Sequence, residues 1–141
     1  MALIKTTEDI ENLRIAGALL SKALGEVIKA VKPGVTMADM DKIAEKTIRD
    51  GGGKPAFLGY KAGGDSPFPS TVCISRNEEV IHGTGDRTVV LEEGDIVGFD
   101  IGLWMNDVAV DMAMTVPVGD ISGEARSLLI VTKAALANGI K

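Results

Sequence analysis

The sequence predicts an α+β fold, in which helices pack on a mainly antiparallel sheet. Apolar residues recur every three or four positions near both ends of the chain, which is typical of amphipathic helices. Between these segments, short β-rich stretches alternate with glycine-rich breaks such as residues 51–53 and 63–64. A chain of 141 residues is the size of one domain. We therefore expect residues 1–141 to form a single domain.

Two helices are predicted in the first third of the chain. Thr7 is a suitable N-cap for the first, and Lys32-Pro33-Gly34 provides its end. Thr36 followed by Asp39 resembles a capping box, with aspartate in place of the usual glutamate. The second helix is expected to run from there to about Arg49, where three glycines follow.

A third helix is predicted from Ser122, and its apolar pattern continues to Lys141 without a stop signal. Residues 135–141 also resemble residues 23–29 of the first helix, although two amphipathic helices can share such residues by chance. Together these features suggest the start of a second structural repeat. We therefore expect the chain to be the first half of a larger fold and to end within a helix where the second half would begin.

Strands are expected in the middle of the chain. Residues 71–75 are a short strand candidate, followed by a polar turn at residues 76–79 in which Glu78 and Glu79 are expected to be solvated. Residues 80–82 resume the apolar run, and residues 88–91 form a further β-rich piece.

The last two predicted strands, residues 98–103 and 108–115, each carry an aspartate. If the hairpin closes with a two-residue loop at Met105-Asn106, Asp100 lies directly opposite Asp111, and the two side chains share a face. Facing like charges destabilise a sheet, so a divalent cation with oxygen ligands is an economical explanation.

The register of this hairpin leaves alternatives open. A loop at residues 106–107 would keep both carboxylates on one face as diagonal neighbours, whereas a three-residue loop would place them on opposite faces. Two solvated aspartates on an exposed face remain the simpler interpretation of the spacing alone.

Composition excludes several classes of function. The net charge is −5 and no Lys/Arg cluster stands out, so we expect no nucleic-acid partner. Apolar runs are too short for a membrane span, and the N-terminus lacks a signal-peptide pattern, so we expect a cytoplasmic protein with no membrane partner. Cys73 is the single cysteine, which excludes an intrachain disulfide.

Three blocks carry a family resemblance. Residues 68–83, residues 91–97 and the spacing of Asp100 from Asp111 occur in this order, and together they resemble the N-terminal half of type I methionine aminopeptidases. The resemblance implies one half of the pita-bread fold, in which two similar αβ halves with curved sheets enclose a two-metal site. It also implies removal of the N-terminal methionine from nascent proteins, with peptides that begin with Met as substrates and two divalent ions (Mn, Fe or Co) as cofactors.

The resemblance assigns roles by position. Asp100 would chelate one metal and Asp111 would bridge both. His82 would be catalytic, by hydrogen-bonding the substrate and stabilising the transition state. The predicted methionine-binding residues are Phe57, Tyr60, Phe68, Cys73 and His82. On their own, a single histidine near a glycine is more often a turn residue, and Cys73 on an apolar strand is more often part of the core.

The chain departs from the family pattern in ways that bear on activity. The family site also needs a histidine and two glutamates from its second half, but His82 is the single histidine here and Glu124 is the only glutamate after Asp111. Thr84-Gly85 replaces an apolar residue and a proline. Three interpretations follow: half of an aminopeptidase completed by a complementary C-terminal half, a half-length protein that self-associates, or a noncatalytic module that binds peptides or partners.

Overall fold

The computed structural model of the protein describes residues 5–61 and 66–141 and confirms the α+β class. Three helices accompany a four-stranded antiparallel sheet. The elements in chain order are α1 (Thr7–Ala30), α2 (Met37–Asp50), β1 (Lys54–Pro55), β2 (Val72–Arg76), β3 (Ile96–Met105), β4 (Val108–Pro117) and α3 (Gly123–Ile140).

Short side-chain hydrogen bonds fix where the first two helices begin. The N-cap of α1 is Thr6, one residue before the predicted cap, because the Asp9 N–H donates to Thr6 Oγ1 (3.1 Å) and the Thr6 N–H donates to Asp9 Oδ2 (2.8 Å). The predicted N-cap of α2 is confirmed, since Thr36 Oγ1 accepts the Asp39 N–H at 3.1 Å. This second cap is not reciprocal, because the Asp39 carboxylate accepts from the Thr36 hydroxyl instead (2.6 Å).

The sheet is organised around β3, which pairs with all the other strands. β4 pairs along its whole length on one edge, and β2 and β1 pair with successive parts of β3 on the other. The apolar runs at residues 80–82 and 88–91 form no strand, apart from an isolated bridge between Val90 and Thr36. Val80 and Ile81 are exposed instead, since no described element packs on them.

The two faces of the sheet differ in composition. One face packs against α1 and α2 and supplies the core. The other face carries mostly small or polar residues, because strand side chains alternate between the faces. Side chains that β2 and β3 bury against the helices are Val72, Ile74, Val97, Phe99, Ile101 and Leu103. Residues that the sheet presents on its opposite face are Cys73, Ser75, Gly98, Asp100, Gly102, Trp104, Ala109, Asp111, Ala113 and Thr115.

The third helix lies outside this core. Ser122 caps it as predicted, with its Oγ accepting the Ala125 N–H at 3.1 Å, but none of its residues is buried. Its exposed large apolar side chains are Leu128, Ile130, Val131, Leu136 and Ile140. An apolar surface of this kind on a soluble protein usually marks an interface. None of the helices in the described ranges is long and apolar enough to cross a membrane.

Candidate active site

The hairpin that carries the two aspartates closes with a two-residue turn at Asn106-Asp107. Both residues are left-handed, with φ of 49° and 62°. This is the type I′ geometry that matches the twist of antiparallel strands. The predicted loop at Met105-Asn106 is wrong, because Asn and Asp adopt left-handed backbone more readily than Met.

The turn sets a register that differs from the predicted one. Asp100 pairs with Ala113, and Asp111 pairs with Gly102, so the two aspartates are not direct partners. They are diagonal neighbours on one face, as the alternative register required. The conclusion that both carboxylates share a face therefore holds, although the pairing first expected does not.

Gly102 leaves room for the two groups that meet above it. A Cβ built at this position would lie 3.1 Å from Asp111 Oδ2 and 3.1 Å from Phe57 Cε1. The absent side chain thus allows a carboxylate and an aromatic ring to approach the same point of the sheet. Sequence analysis missed this residue, and the only local signal was a glycine two positions after Asp100, on the same face.

The pKa shifts of the two aspartates indicate that their negative charges are not fully compensated. Burial raises the pKa of Asp100, and the negative charge of Asp111 raises it further, while His82 lowers it. Burial also raises the pKa of Asp111. Neither carboxylate forms an ion pair within the described residues. Two like charges that are diagonal neighbours on one face, each disfavoured by partial burial, are what a bound cation would stabilise.

Cys73 lies beside the carboxylates rather than in the helix-facing core. It is the direct partner of Asp100 across β2 and β3 and is only 6% exposed. Burial, followed by the charges of Asp100 and Asp111, raises the pKa of its thiol to about 11. The group therefore stays a neutral thiol near pH 7, which suits an apolar wall and not a nucleophile.

A loop bonded to itself holds the predicted aromatic residues. The Tyr60 N–H donates to the Phe57 carbonyl (2.8 Å), the Phe68 N–H to the Tyr60 carbonyl (2.8 Å), and the Gly59 N–H to the Phe68 carbonyl (2.9 Å). Phe57 reaches the site beside Gly102, and Phe68 is half-buried, whereas Tyr60 is 62% exposed. A methionine pocket formed by these side chains stays a prediction.

His82 occupies a loop that is strapped to β2. Its backbone is left-handed, with φ of 59°, and its side chain is exposed. The Ile74 N–H donates to the carbonyl of Gly83 at 2.7 Å, and the Gly83 N–H donates to Ser75 Oγ at 3.2 Å. These bonds hold the single histidine of the chain beside β2, the strand whose Cys73 pairs with Asp100.

Glu79 is not the solvated turn residue that the sequence suggested. Its carboxylate accepts two hydrogen bonds from the guanidinium of Arg87 and one from the Arg76 N–H (2.9 Å). The Arg87 hydrogen bonds, then the one from the Arg76 N–H, lower the pKa of Glu79 to about 2. The signal available in the sequence was a pair of opposite charges flanking His82, which local spacing does not connect.

The metal-ligating capacity of the described residues is limited. Within residues 5–61 and 66–141, no group of three or more His, Cys, Asp or Glu side chains could hold a metal ion. Asp100 and Asp111 fit a divalent cation by chemistry and placement, but they supply only part of a ligand set. A complete ligand set would need further donors from outside the described residues or from another polypeptide.

Comparison with known proteins decides the family. The model of metallopeptidase family M24 matches residues 11–141. The chain belongs to metallopeptidase family M24. A methionine aminopeptidase of Clostridium acetobutylicum is 43% identical over the whole chain, and one of Aquifex aeolicus is 43% identical over 94% of it. The predicted resemblance is confirmed, and family membership implies the use of a divalent metal.

Similar solved structures agree with the predicted pita-bread architecture. The methionine aminopeptidase of Thermotoga maritima is similar with a TM-score of 0.91 and 37% identity, covering all of this chain. A prolidase of Pyrococcus furiosus shares the fold with a TM-score of 0.69 at 21% identity. The chain spans about half the length of the methionine aminopeptidases, 54% of the Clostridium protein and 55% of the Thermotoga chain, and 34% of the Pyrococcus prolidase.

The expected departure from the methionine aminopeptidase pattern at Thr84-Gly85 has a structural reason. Gly85 donates its N–H to Ser70 Oγ at 2.9 Å, which a proline could not do. A Cβ at Gly85 would also lie 2.8 Å from both Asp41 Oδ1 and the Val72 carbonyl oxygen. Asp41 occupies that space because it accepts the buried Val72 N–H at 2.8 Å.

Proposed function

We propose that this chain supplies one half of a metal-dependent methionine aminopeptidase site, acting on peptides that begin with Met. The observation that carries the proposal is the placement of Asp100 and Asp111 on one open face, with Cys73 and Phe57 beside them. The similarity to aminopeptidases over the full chain supports the same function.

Asp100 and Asp111 would hold the metal, in a complete site two ions of Mn, Fe or Co. When bound, such ions supply a water of lowered pKa and polarise the scissile carbonyl. Without a cation, Asp111 raises the pKa of Asp100, so the two charges oppose each other. A bound cation would therefore be stabilised by the negative charges of both carboxylates at once.

The remaining residues would bind and orient the peptide. The Cys73 thiol, neutral near pH 7, and the Phe57 ring offer a soft apolar surface for a thioether side chain. His82 would donate a hydrogen bond to the substrate carbonyl oxygen as negative charge develops there. Phe68 and Tyr60 would complete the pocket from the loop that carries Phe57.

Metal binding can be measured on this chain directly, because Trp104 is its single tryptophan and lies on the same face as Asp111. Trp104 is 51% exposed and pairs with Ala109, two positions before Asp111 on β4. Bound Co²⁺ should therefore quench its fluorescence. We expect saturable quenching in the wild type that Asp100→Asn and Asp111→Asn weaken.

Asp107→Asn is the matched control, since Asp107 belongs to the same hairpin but lies in the turn. It should leave the Co²⁺ titration unchanged. Quenching that is absent from the wild type, or equal in the wild type and both site variants, would overturn the metal site.

Methionine release tests catalysis. The chain would be assayed on a Met-Ala peptide with Mn²⁺ or Co²⁺, alone and mixed with the C-terminal half of the Clostridium acetobutylicum relative. We expect release that Asp100→Asn abolishes in the mixture. Release by the wild type and by Asp100→Asn at the same rate would contradict the assigned role.

A second candidate function is a noncatalytic half-fold that self-associates or binds peptides and partners. The exposed apolar side chains of α3 favour it, because none of the residues of that helix is buried within the described part of the chain. Release of methionine by the chain alone, with a second copy as its partner, would distinguish a working dimer from this candidate. Since nascent chains are made in the cytoplasm, we place the proposed function there.

A further inference from the structure

Arg87 contacts the His82 loop at several points. Its Nε donates to the Thr84 carbonyl (2.9 Å), and its Nη2 donates to the Ile74 carbonyl of β2 (2.8 Å) and to Glu79 Oε2 (2.8 Å). One guanidinium therefore joins the residue three positions before His82, the residue two positions after it, and the neighbouring strand. A planar fork with several donors is well suited to such a junction.

Packing around Gly83 shows how closely the loop is held. A Cβ at Gly83 would lie 2.2 Å from the Ile74 carbonyl oxygen and 2.9 Å from Arg87 Nη2. The backbone that follows His82 thus lies directly against the guanidinium and β2. Arg87 and Glu79 are only 30% and 35% exposed, so their bidentate pair is screened less than a surface ion pair.

His82 itself has few restraints of its own. Its side chain is exposed and its backbone is left-handed, a conformation that costs a non-glycine residue free energy unless its surroundings impose it. The restraints described for this loop come from Arg87, from Glu79 and from the hydrogen bonds of Gly83 with Ile74 and Ser75. Removal of the guanidinium would remove a restraint on each side of His82, one at Glu79 and one at Thr84.

We propose that Arg87, paired with Glu79, is the positioning residue for His82 and holds the loop that carries its imidazole against β2, the strand whose Cys73 pairs with Asp100. Arg87 touches neither substrate nor metal in this role and acts only through the loop. The inference rests on the proposed function for the identity of the site, but the clamp can be tested without catalysis.

The test uses two unique probes, since the chain has one histidine and one tryptophan. Mn²⁺ is added to the full chain, and paramagnetic broadening of the His82 Hε1 and Trp104 indole signals is measured by NMR. In the wild type, both signals should broaden. In Arg87→Gln, the Trp104 signal should broaden as before, because it sits on β3, whereas the effect on His82 should fall several-fold.

Two further variants complete the series. Arg87→Lys keeps the charge but loses the fork, so the His82 effect should lie between those of the wild type and Arg87→Gln. Arg87→Lys also becomes the test variant if Arg87→Gln does not fold. Arg49→Gln removes the Arg49–Glu45 pair of α2 (2.8 Å) and should leave both signals as in the wild type.

The metal-free measurement is exchange of the Ile74 amide, which donates to Gly83. Its exchange should accelerate in Arg87→Gln but not in Arg49→Gln. If Mn²⁺ broadens neither probe in the wild type, the proposed function fails and amide exchange alone decides whether the clamp exists. Unchanged Ile74 exchange, or an unchanged ratio of His82 to Trp104 broadening in Arg87→Gln, would overturn the positioning role.

Discussion

Gly102 lies directly opposite Asp111 across β3 and β4, and its missing side chain is the space in which the Asp111 carboxylate and the Phe57 ring meet. The relationship places a glycine at the centre of a sheet, where it normally weakens a strand. The close approach of a side chain explains its presence there.

Gly102→Ala is therefore expected to weaken metal binding while leaving the free energy of unfolding nearly unchanged. The added Cβ would lie 3.1 Å from Asp111 Oδ2, so the carboxylate must shift, and Co²⁺ affinity should fall several-fold. Unfolding stability should change little, because alanine suits a strand at least as well as glycine. Trp104 quenching measures the Co²⁺ affinity, and urea unfolding measures the stability. A variant that loses both affinity and stability would contradict a local role of Gly102.

Asp41 is expected to be a structural anchor rather than a catalytic group. Its carboxylate accepts the buried Val72 N–H at 2.8 Å and so ties α2 to the start of β2. Asp41→Ala should destabilise the chain by about 1–3 kcal/mol, because buried N–H donors lose their acceptor. Urea unfolding provides the measurement. Asp39→Ala, at an exposed position on the same helix, should lower the free energy of unfolding by less. An equal decrease would contradict the anchoring role of Asp41.

Gly85 should tolerate no side chain. In Gly85→Ala the new methyl would meet the Val72 carbonyl oxygen and Asp41 Oδ1, both at 2.8 Å. We expect a cost of about 1–3 kcal/mol, typical of overpacking in a filled region. Gly17→Ala is the control for glycine replacement, because a Cβ at Gly17 meets nothing within 4 Å. Thermal or urea unfolding of both variants would show whether the cost is specific to position 85.

Glu79 should make the protein sensitive to acid. Its pKa in the folded chain is about 2, below the ordinary value of 4.5, so folding favours the charged form. Its contribution to stability is present above pH 4.5 and is lost as the pH falls toward 2. Glu79→Gln should therefore flatten the decline in unfolding stability across this range. A decline as steep as that of the wild type would show that other carboxylates dominate.

The exposed face of α3 should promote association. Replacing Leu128 and Leu136, which are 57% and 66% exposed, with glutamine should change unfolding stability by no more than about 0.5 kcal/mol. Light scattering at micromolar concentration should show self-association of the wild type that the double variant reduces. A wild type that is strictly monomeric would remove the basis for a self-associating half-fold.

Helices and the aspartate hairpin were predictable because their signals are local. Apolar periodicity and the caps at Thr36 and Ser122 placed α2 and α3, and α1 began one residue earlier than expected. The register was not predictable, since it depends on which two residues adopt left-handed backbone. Asn106 and Asp107 do so, and the aspartates became diagonal neighbours as a result.

Contacts between distant segments were beyond the reach of sequence patterns. Glu79 and Arg87 meet because the His82 loop folds back on β2, and their spacing in the sequence does not predict this contact. Likewise, the approach of Phe57 to Gly102 depends on how residues 56–60 cross the sheet. The functional roles of Asp100, Asp111, His82 and the aromatic residues stay predictions that the experiments above can decide.

The two faces of the sheet have a consequence for how such a protein can evolve. Residues at odd positions of β3, such as Phe99 and Ile101, hold the helices, while Asp100 and Gly102 between them face the open side. Residues of the proposed site and residues that hold the fold thus alternate along the same strand. Substitutions on the open side of β3 can therefore alter the proposed site while the residues that pack against the helices stay unchanged.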